Sequence, residues 1–513
     1  MSPKVVIIGA GIGGVSFAIA LKRQFGAGFD DFVIYEKAGD VGGTWRDNIY
    51  PGASSDISVH FYSLSTDLNP NWPSTHGSQA ETQEYWRKLT TKYDIYPRTV
   101  FNRLVVSAEW SVKEQLYRIV TEDVQSGERF STTAQILISA IGILEVPRLP
   151  NIPGLSSFKG QKFHSARWDT GVSLQGKRVA VIGNGASATQ FVPVISQDPT
   201  VRITEFCRTP NWFLPPIRAD YSPSWKWVFN NVPFAMKFYR FLLYLRSEIL
   251  YMFVFAYKPS RTWWGGMARD YIMKTAPKDD LEHLIPKYSL GCKRVIFDTN
   301  FLAALHRPNL SLKWDGIQSI SEDGIITAKA DRYPLKVVGE TGKSVQEYYD
   351  SQGGPKSYLG TTVPGFPNLF LIGGPNTATG HTSVILTEEL QINYIVQFVK
   401  PILQGLVSTF NVTPRATDAY NELIHARLAR SVFMECISWY RTGGEGKISS
   451  IFPGPMMLYA WWVRRPRWDD YQVKGTEQWE LKLQHEKWAA LFSPVHYLSL
   501  LLGLLVSLII GQF

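Results

Sequence analysis

The residues best suited to chemistry in this chain gather around two glycine-rich turns. The first reads Gly9-Ala-Gly11-Ile-Gly13-Gly14, the second Gly183-Asn-Gly185-Ala-Ser187-Ala188. Glycine lets the backbone turn tightly and approach a pyrophosphate closely. A helix beginning at such a turn adds unpaired N–H groups and the positive end of its dipole, which favour an anion. The apolar run after the first turn ends in Glu36, where an acid can accept hydrogen bonds from ribose hydroxyls. After the second turn the matching place is held by Arg208-Thr209-Pro210. An arginine there suits a ribose 2′-phosphate, and so NADPH; an acid would suit NAD. Glu205 is close by, but strand alternation turns it away. Two dinucleotide sites in one polypeptide point to a flavin and a nicotinamide working as a pair.

Three further clusters carry chemical side chains. Gly42-Gly43-Thr44-Trp45 follows the ribose acid closely, and Asn48-Ile-Tyr50-Pro51-Gly52 with Asp56 comes just after. Paired glycines there allow the backbone to approach a bulky ring system. Lys293-Arg294 reads either as a solvated basic pair or as a pair that holds phosphate and reactive oxygen. The third is Phe158-x-Gly160-x-x-x-His164-x-x-x-Trp168-Asp169, immediately upstream of the second turn. No metal site is expected. Cys207, Cys292 and Cys436 form no Cys-x-x-Cys pair, so a disulfide framework, a zinc site and a dithiol redox centre are all disfavoured, in keeping with a reducing compartment.

The elements that must position these groups are short buried strands alternating with helices, an α/β pattern of two Rossmann-like units. Residues 4–8 and Phe32–Tyr35 read as the strands of the first unit, and Arg202–Phe206 as the second strand of the other. Residues 60–92 read as loop plus helix. Residues 101–106, 108–111 and 116–120 read as short antiparallel strands, and 134–139 as an apolar strand. Residues 384–400 read as a helix stopped by Pro401. The expected organisation is a first flavin-domain segment at 1–148 and a nicotinamide domain at 149–330, with a helical insert at about 215–290. The flavin domain returns at 331–450, a cap follows at 451–487, and a tail at 488–513. The insert is aromatic and aliphatic with scattered charge between residues 225 and 264. It reads as a cover over the active site or as an interfacial amphipathic surface, and the cover is the simpler reading.

Composition limits the alternatives. The 513 residues are 45% hydrophobic and carry a net charge of +9. No nucleic-acid module is present, so the basic balance is assigned to cofactor phosphates and lipid headgroups. The first strand starts almost at the initiator methionine, which leaves no room for a usual signal peptide. Residues 488–513 contain no Asp, Glu, Lys or Arg, and Lys482 and Lys487 lie just before them. That segment is expected to be a C-terminal transmembrane helix, anchoring a cytosolic catalytic part to a membrane, that of the endoplasmic reticulum.

With these residues in place, the chain resembles class B flavoprotein monooxygenases, and among them Baeyer–Villiger monooxygenases, over roughly residues 1–460. The run from Phe158 to Asp169 satisfies the hallmark FxGxxxHxxxW followed by Pro or Asp. Residues 374–383, Gly-Pro-Asn-Thr-Ala-Thr-Gly-His-Thr-Ser, look like the branch common among fungal natural-product enzymes. The resemblance implies FAD at Gly9, Gly11, Gly13, Gly14, Glu36, Gly43, Thr44, Trp45, Asp56 and Tyr62. It implies NADPH at Gly183, Gly185, Ser187 and Ala188, with its 2′-phosphate on Arg208, Thr209 and Lys293. Arg294 would sit over the flavin, paired with Asp56, and these two are the expected catalytic residues. His164 and Trp168 would be conformational. O₂ would be the co-substrate and an apolar ketone the partner molecule, converted to an ester or lactone in fungal polyketide or terpenoid biosynthesis. Heteroatom oxygenation or epoxidation on the same scaffold is the near rival, and a simple NADPH oxidase another. One departure supports an impaired flavin-binding protein instead: the family's apolar strand ending in Ala-Thr-Gly-Phe is expected to be missing where Leu335 meets Lys336. Ser139-Ala140-Ile141-Gly142 is a milder change.

Overall fold

The computed structural model describes residues 3–142, 145–147, 149, 152–314, 317, 319–320, 336–436, 438, 440–441 and 446–491, the last seven by backbone alone. The chain opens with β1 (Val5–Ile8), α1 (Ile12–Phe25) and β2 (Phe32–Tyr35), the expected first unit. α2 (Thr44–Asp47), α3 (Gln79–Lys92) and β3 (Thr99–Val100) follow. The start of α3 is fixed by a capping box: the Ser78 side chain accepts from Glu81 N, and the Glu81 carboxylate accepts from Ser78 N. β4 (Arg103–Ser111), β5 (Leu116–Asp123) and β6 (Arg129–Ala134) form an antiparallel ribbon, and β7 (Ile136–Ser139) returns beside β1. The two short strands expected at 101–111 are one strand, β4, whose register shifts between Val105 and Ser107. Ser107 breaks the apolar alternation because it sits at this irregularity, not at a strand end. β6 was not legible, because its Arg-Phe-Ser start is exposed and only Ala134 is buried, which leaves no alternating face to give it a pattern.

The second unit is β8 (Arg178–Ile182), α4 (Ala186–Ile195) and β9 (Arg202–Phe206), with β9 where the sequence placed it. β10 (Phe213–Leu214) leads to three helices, α5 (Pro223–Asn231), α6 (Ala235–Leu250) and α7 (Lys258–Thr275), with a π-helical turn at Tyr251–Ala256 between the last two. α8 (Leu281–Leu284), β11 (Ile296–Phe297), α9 (Phe301–Ala304) and β12 (Leu310–Lys313) complete this part. β13 (Lys336–Val338), α10 (Val345–Ser351), β14 (Leu369–Leu371) and α11 (Val384–Leu403) follow. Last come β15 (Val407–Val412), α12 (Pro414–Ala429), α13 (Met456–Val463), β16 (Tyr471–Gly475) and α14 (Glu477–Leu491).

α11 runs past Pro401. The proline lacks only a bond to the preceding turn, and Gln404 N on Lys400 O and Leu406 N on Pro401 O close the helix beyond it. No helix among the described residues is long and apolar enough to cross a membrane. The expected transmembrane helix at 488–513 lies outside the described residues from 492 onward. So do residues 321–335, just before the Leu335–Lys336 junction where the missing strand was expected; directly after them, β13 pairs in parallel with β4.

Two parallel sheets carry the architecture. One has the order β14-β7-β1-β2-β3, the other β12-β9-β8. β1 explains why a strand can read as an unbroken apolar run. Val5 and Ile7 pack into the cluster that holds α1 and α11, while Val6 and Ile8 pack against β4 and β5 on the other face. All four are buried, each contributing about 1.5–3 kcal/mol. The second sheet has its own core, centred on Ile203, Phe191, Phe213 and Phe301. Both units deliver their glycine turns to the carboxyl ends of their strands, the edge where open α/β sheets bind ligands.

Candidate active site

The two turns open into one continuous cleft of about 3560 Å³. Gly9, Gly11, Gly13, Glu36, Gly43, Thr44, Trp45, Asp56 and Tyr62 line its first side; Gly183, Gly185, Ser187, Ala188, Lys293 and Arg294 line the other. The local backbone explains why glycine is required. Gly9 has φ +99°, and a Cβ there would meet the Ala140 carbonyl at 2.8 Å. Gly183 has φ +95°, and no heavy atom comes within 4 Å of where its Cβ or that of Gly185 would be. The second turn thus leaves open space at the N-terminus of α4. On the first side, a Cβ on Gly43 would be 3.0 Å from the Gly11 Cα, so the two glycines keep a narrow slot free of side chains. This fits a dinucleotide at each turn.

Gly14 does something other than line the cleft. A Cβ on it would lie 1.9 Å from the Gly9 carbonyl, so it permits the close packing of α1 under the turn. Glu36 is already engaged: its carboxylate accepts from Ala10 N at 2.8 Å, from Ala38 N at 2.9 Å and from Arg46 Nη1 at 2.9 Å. Glu36 is therefore the staple that holds the first turn to the end of β2.

Trp45 donates from Nε1 to the Tyr62 hydroxyl at 3.2 Å, with the rings edge-on at 5.7 Å. Burial pushes the Tyr62 phenol well above its ordinary range, so it stays protonated. Arg294 forms an ion pair with Asp56, donating from Nη2 to Oδ2. The Asp56 charge holds the guanidinium more firmly protonated than usual. Tyr440 is nearby, its phenol pushed up to about 12 by burial, against the opposing pull of Arg294.

Lys293 Nζ donates to the Thr209 hydroxyl at 2.7 Å. Burial, helped by the Arg208 charge, lowers the Lys293 pKa. Arg208 and Thr209 do not line the main cleft; with Lys293 they form a basic corner beside it.

The twelve-residue run lines the same cleft from Phe158 to Trp168, and the contacts of His164, Trp168 and Arg167 there are structural. His164 Nδ1 accepts from Ala166 N at 3.0 Å and so caps the short turn Ser165–Arg167. Trp168 packs on Phe163 and on Phe191 of α4, each at 5.2 Å. Arg167 reaches Asp47 of α2 at 3.1 Å. The run thus ties the flavin-side loop to the second unit, a positioning role.

Two features escaped the sequence. Cys292 and Cys436 are joined by a disulfide across 144 residues, correcting the expectation of no such bond. Spacing rules see only neighbours in the chain, whereas the fold brings these Cα atoms to 6.1 Å. The bond directly precedes Lys293 and Arg294. Glu388 was also missed. Its Oε2 is buried without a hydrogen-bond partner among the described residues, 3.6 Å from where a Cβ on Gly13 would lie, and burial pushes its carboxyl up to about 8. Its neighbour Glu389 is paired with Arg240 at 2.9 Å. Two adjacent acids in an apolar helix were the only available signal.

The flavin-binding monooxygenase-like family matches residues 2–242. A Baeyer–Villiger monooxygenase of Streptomyces coelicolor is 34% identical over 92% of each chain. An FAD-binding monooxygenase of Aspergillus niger, ktnD, is 32% identical over 92% of this chain and 82% of its own. Among solved structures, cyclohexanone monooxygenase from Rhodococcus sp. Phi1 bound to NADP⁺ shares the fold, with a TM-score of 0.78 at 23% identity over 93% of this chain and 100% of that one. OTEMO in complex with FAD and NADP does so with a TM-score of 0.79 at 23% identity over 92% and 100%. Identity of this extent over nearly the whole length, joined to the paired turns and the Arg294–Asp56 junction, places the chain in the flavin-binding monooxygenase family, in the class B flavoprotein branch that includes the Baeyer–Villiger monooxygenases.

Proposed function

We propose that this enzyme uses FAD, NADPH and O₂ to insert one oxygen atom beside the carbonyl of an apolar ketone, giving an ester or lactone. The observation that carries the reading is the Arg294–Asp56 pair, set where the two nucleotide sides of one cleft meet. Bound FAD, reduced by NADPH, would supply the activation of O₂, from which the inserted oxygen atom comes. The first glycine turn, Glu36, Gly43, Thr44, Trp45 and Tyr62 hold the flavin side. The second turn, with Ser187, Ala188, Arg208, Thr209 and Lys293, holds the nicotinamide side. Arg294 keeps a permanent positive charge where negative charge develops during transfer, and Asp56 fixes its direction. Leu250, Val254 and Phe255 put an apolar wall along the same cleft, which supports an apolar substrate and excludes water. The fungal relatives support a natural-product ketone, by analogy only. The charge-free segment at 488–513 supports a membrane anchor of the endoplasmic reticulum, with the catalytic part on the cytosolic side.

Arg294→Ala tests the assignment. The variant should keep its bound flavin and lose ketone oxygenation by about 10²–10³-fold, the usual cost of removing one charge-stabilising donor. Formation of ester at a near wild-type rate sinks it. Product analysis on a ketone beside a sulfide, an amine and an alkene separates ester formation from heteroatom oxygenation and epoxidation.

A further inference from the structure

Half of the large apolar side chains that are exposed among the described residues lie in one stretch, from Trp225 to Met273, on α5, α6, α7 and the π-turn. On α6 and just beyond they form a stripe. Phe234, Phe238, Phe241, Leu245, Ile249 and Met252 recur every three or four residues, at 42–76% exposure. That spacing puts them on one helical face. The opposite face is in use: Leu243, Ser247 and Leu250 line the cleft. α6 therefore does cover the active site, as the simpler sequence reading expected. It also presents a second apolar face that nothing among the described residues covers. Monomeric soluble proteins rarely expose so contiguous a patch without a partner.

The charges on these helices say what that partner is. Lys237, Lys258, Arg269 and Lys274 are exposed, with Asp270 as the single exposed acid. The other acid, Glu248, is turned inward and accepts from Met456 N at 3.0 Å and Met457 N at 3.4 Å. Those bonds bring α13 beside α6, and α13 adds exposed Met457 and Trp461, with Arg464 over the Trp461 ring at 3.4 Å. An apolar face rimmed by aromatic rings and cations, with almost no exposed acid, complements an anionic lipid surface. Two copies of this face would bring like charges together. The charge-free residues 488–513 bring a further apolar segment to the same molecule.

We propose that the outward face of α5, α6 and α7 is a monotopic docking surface for an anionic lipid bilayer, with its apolar stripe seated in the acyl–headgroup boundary. This places the membrane on the far side of the helix that walls the cleft. The surface acts independently of the C-terminal segment.

Vesicle flotation of the full-length flavoprotein tests this without any turnover. Vesicles of phosphatidylcholine alone are compared with vesicles that also contain phosphatidylserine. The wild type should float with the anionic vesicles, and raised salt should weaken the association. Phe238→Ser, Phe241→Ser and Leu245→Ser together, with the tail intact, should lower partitioning by roughly a hundredfold or more, since each buried apolar side chain is worth about tenfold. None of the three lines the cleft, so bound-flavin absorbance should be unchanged. Should that variant fail to fold, Lys237→Glu with Lys258→Glu decides: it keeps the stripe and should lose the preference for phosphatidylserine. The proposal is overturned if the stripe variant floats like the wild type, which would leave the tail as the sole anchor. It is equally overturned if the wild type floats with neither vesicle, if the charge variant keeps the full preference, or if the patch serves only to pair two copies, seen as a dimer that the stripe variant converts to a monomer.

Discussion

Arg208 and Lys293 stand close enough for the charge of one to act on the other. Lys293 donates to Thr209 and is half withdrawn from water; that burial lowers its pKa, and the neighbouring Arg208 charge lowers it further. Two cations held together are unfavourable until an anion joins them, and a ribose 2′-phosphate is such an anion. Arg208→Ala should therefore raise KM for NADPH by about 10- to 100-fold, the worth of a charged hydrogen bond, and leave KM for NADH almost unchanged. Steady-state kinetics with both nucleotides checks this; equal losses with the two would assign Arg208 a structural role. At this scale the sequence was informative wherever the signal was local. Gly9, Gly183 and Glu36 could be read because turn, helix start and acid fall within one βαβ unit. The pairing of Asp56 with Arg294 spans 238 residues and was visible only through the family resemblance. Glu388 was invisible, because its lack of a partner is a product of packing.

Among the elements, β9 carries the least expected residue. Glu205 lies on the central strand of the three-stranded sheet, fully buried, and neither carboxyl oxygen finds a partner among the described residues. Alternation did turn it away from Arg208, but into the core. Burial alone pushes its carboxyl from 4.5 up to about 8. Between those two pH values the unfolded chain has released this proton while the folded chain still holds it. Stability therefore falls as pH rises through the window, by about 1.4 kcal/mol per pH unit from this group. Glu205→Gln stays neutral throughout. It should raise Tm at pH 8 and leave it almost unchanged near pH 4.5, measured by calorimetry. Glu388 has the same sign but is present in both proteins, so the difference isolates Glu205. An equal gain at both pH values would show that ionisation is not the cause. The other elements follow the same division between local and long-range signals. β1 and β2 were readable because buried parallel strands are short apolar runs. The ends of β4 and α11 were not, since a register shift and a terminal proline are tolerated only by virtue of what packs around them.

Across the whole molecule, the Cys292–Cys436 bond ties the segment that carries Lys293 and Arg294 to the turn Val432–Met434, close to the end of α12. It closes a loop of 144 residues, and crosslinks over loops of that length are worth about 4–5 kcal/mol in the chain-entropy account. Arg294 thus owes its place to two constraints, the Asp56 ion pair and this bond next to it. The bond also bears on where the protein works. Disulfides persist in oxidising compartments, whereas a catalytic part on the cytosolic side of a membrane would meet a pool that keeps thiols reduced. Thiol titration of the denatured protein, purified with its thiols blocked at lysis, decides between these. The paired form gives one reactive thiol per chain, Cys207, rising to three after reduction. The folded protein should lose several degrees of Tm on treatment with a dithiol, and Cys436→Ser should show the same lowered Tm without responding to the reductant. A variant that keeps the wild-type Tm would leave Asp56 alone to fix Arg294. Its rate of ester formation would then measure how much of the active-site geometry the ion pair holds unaided.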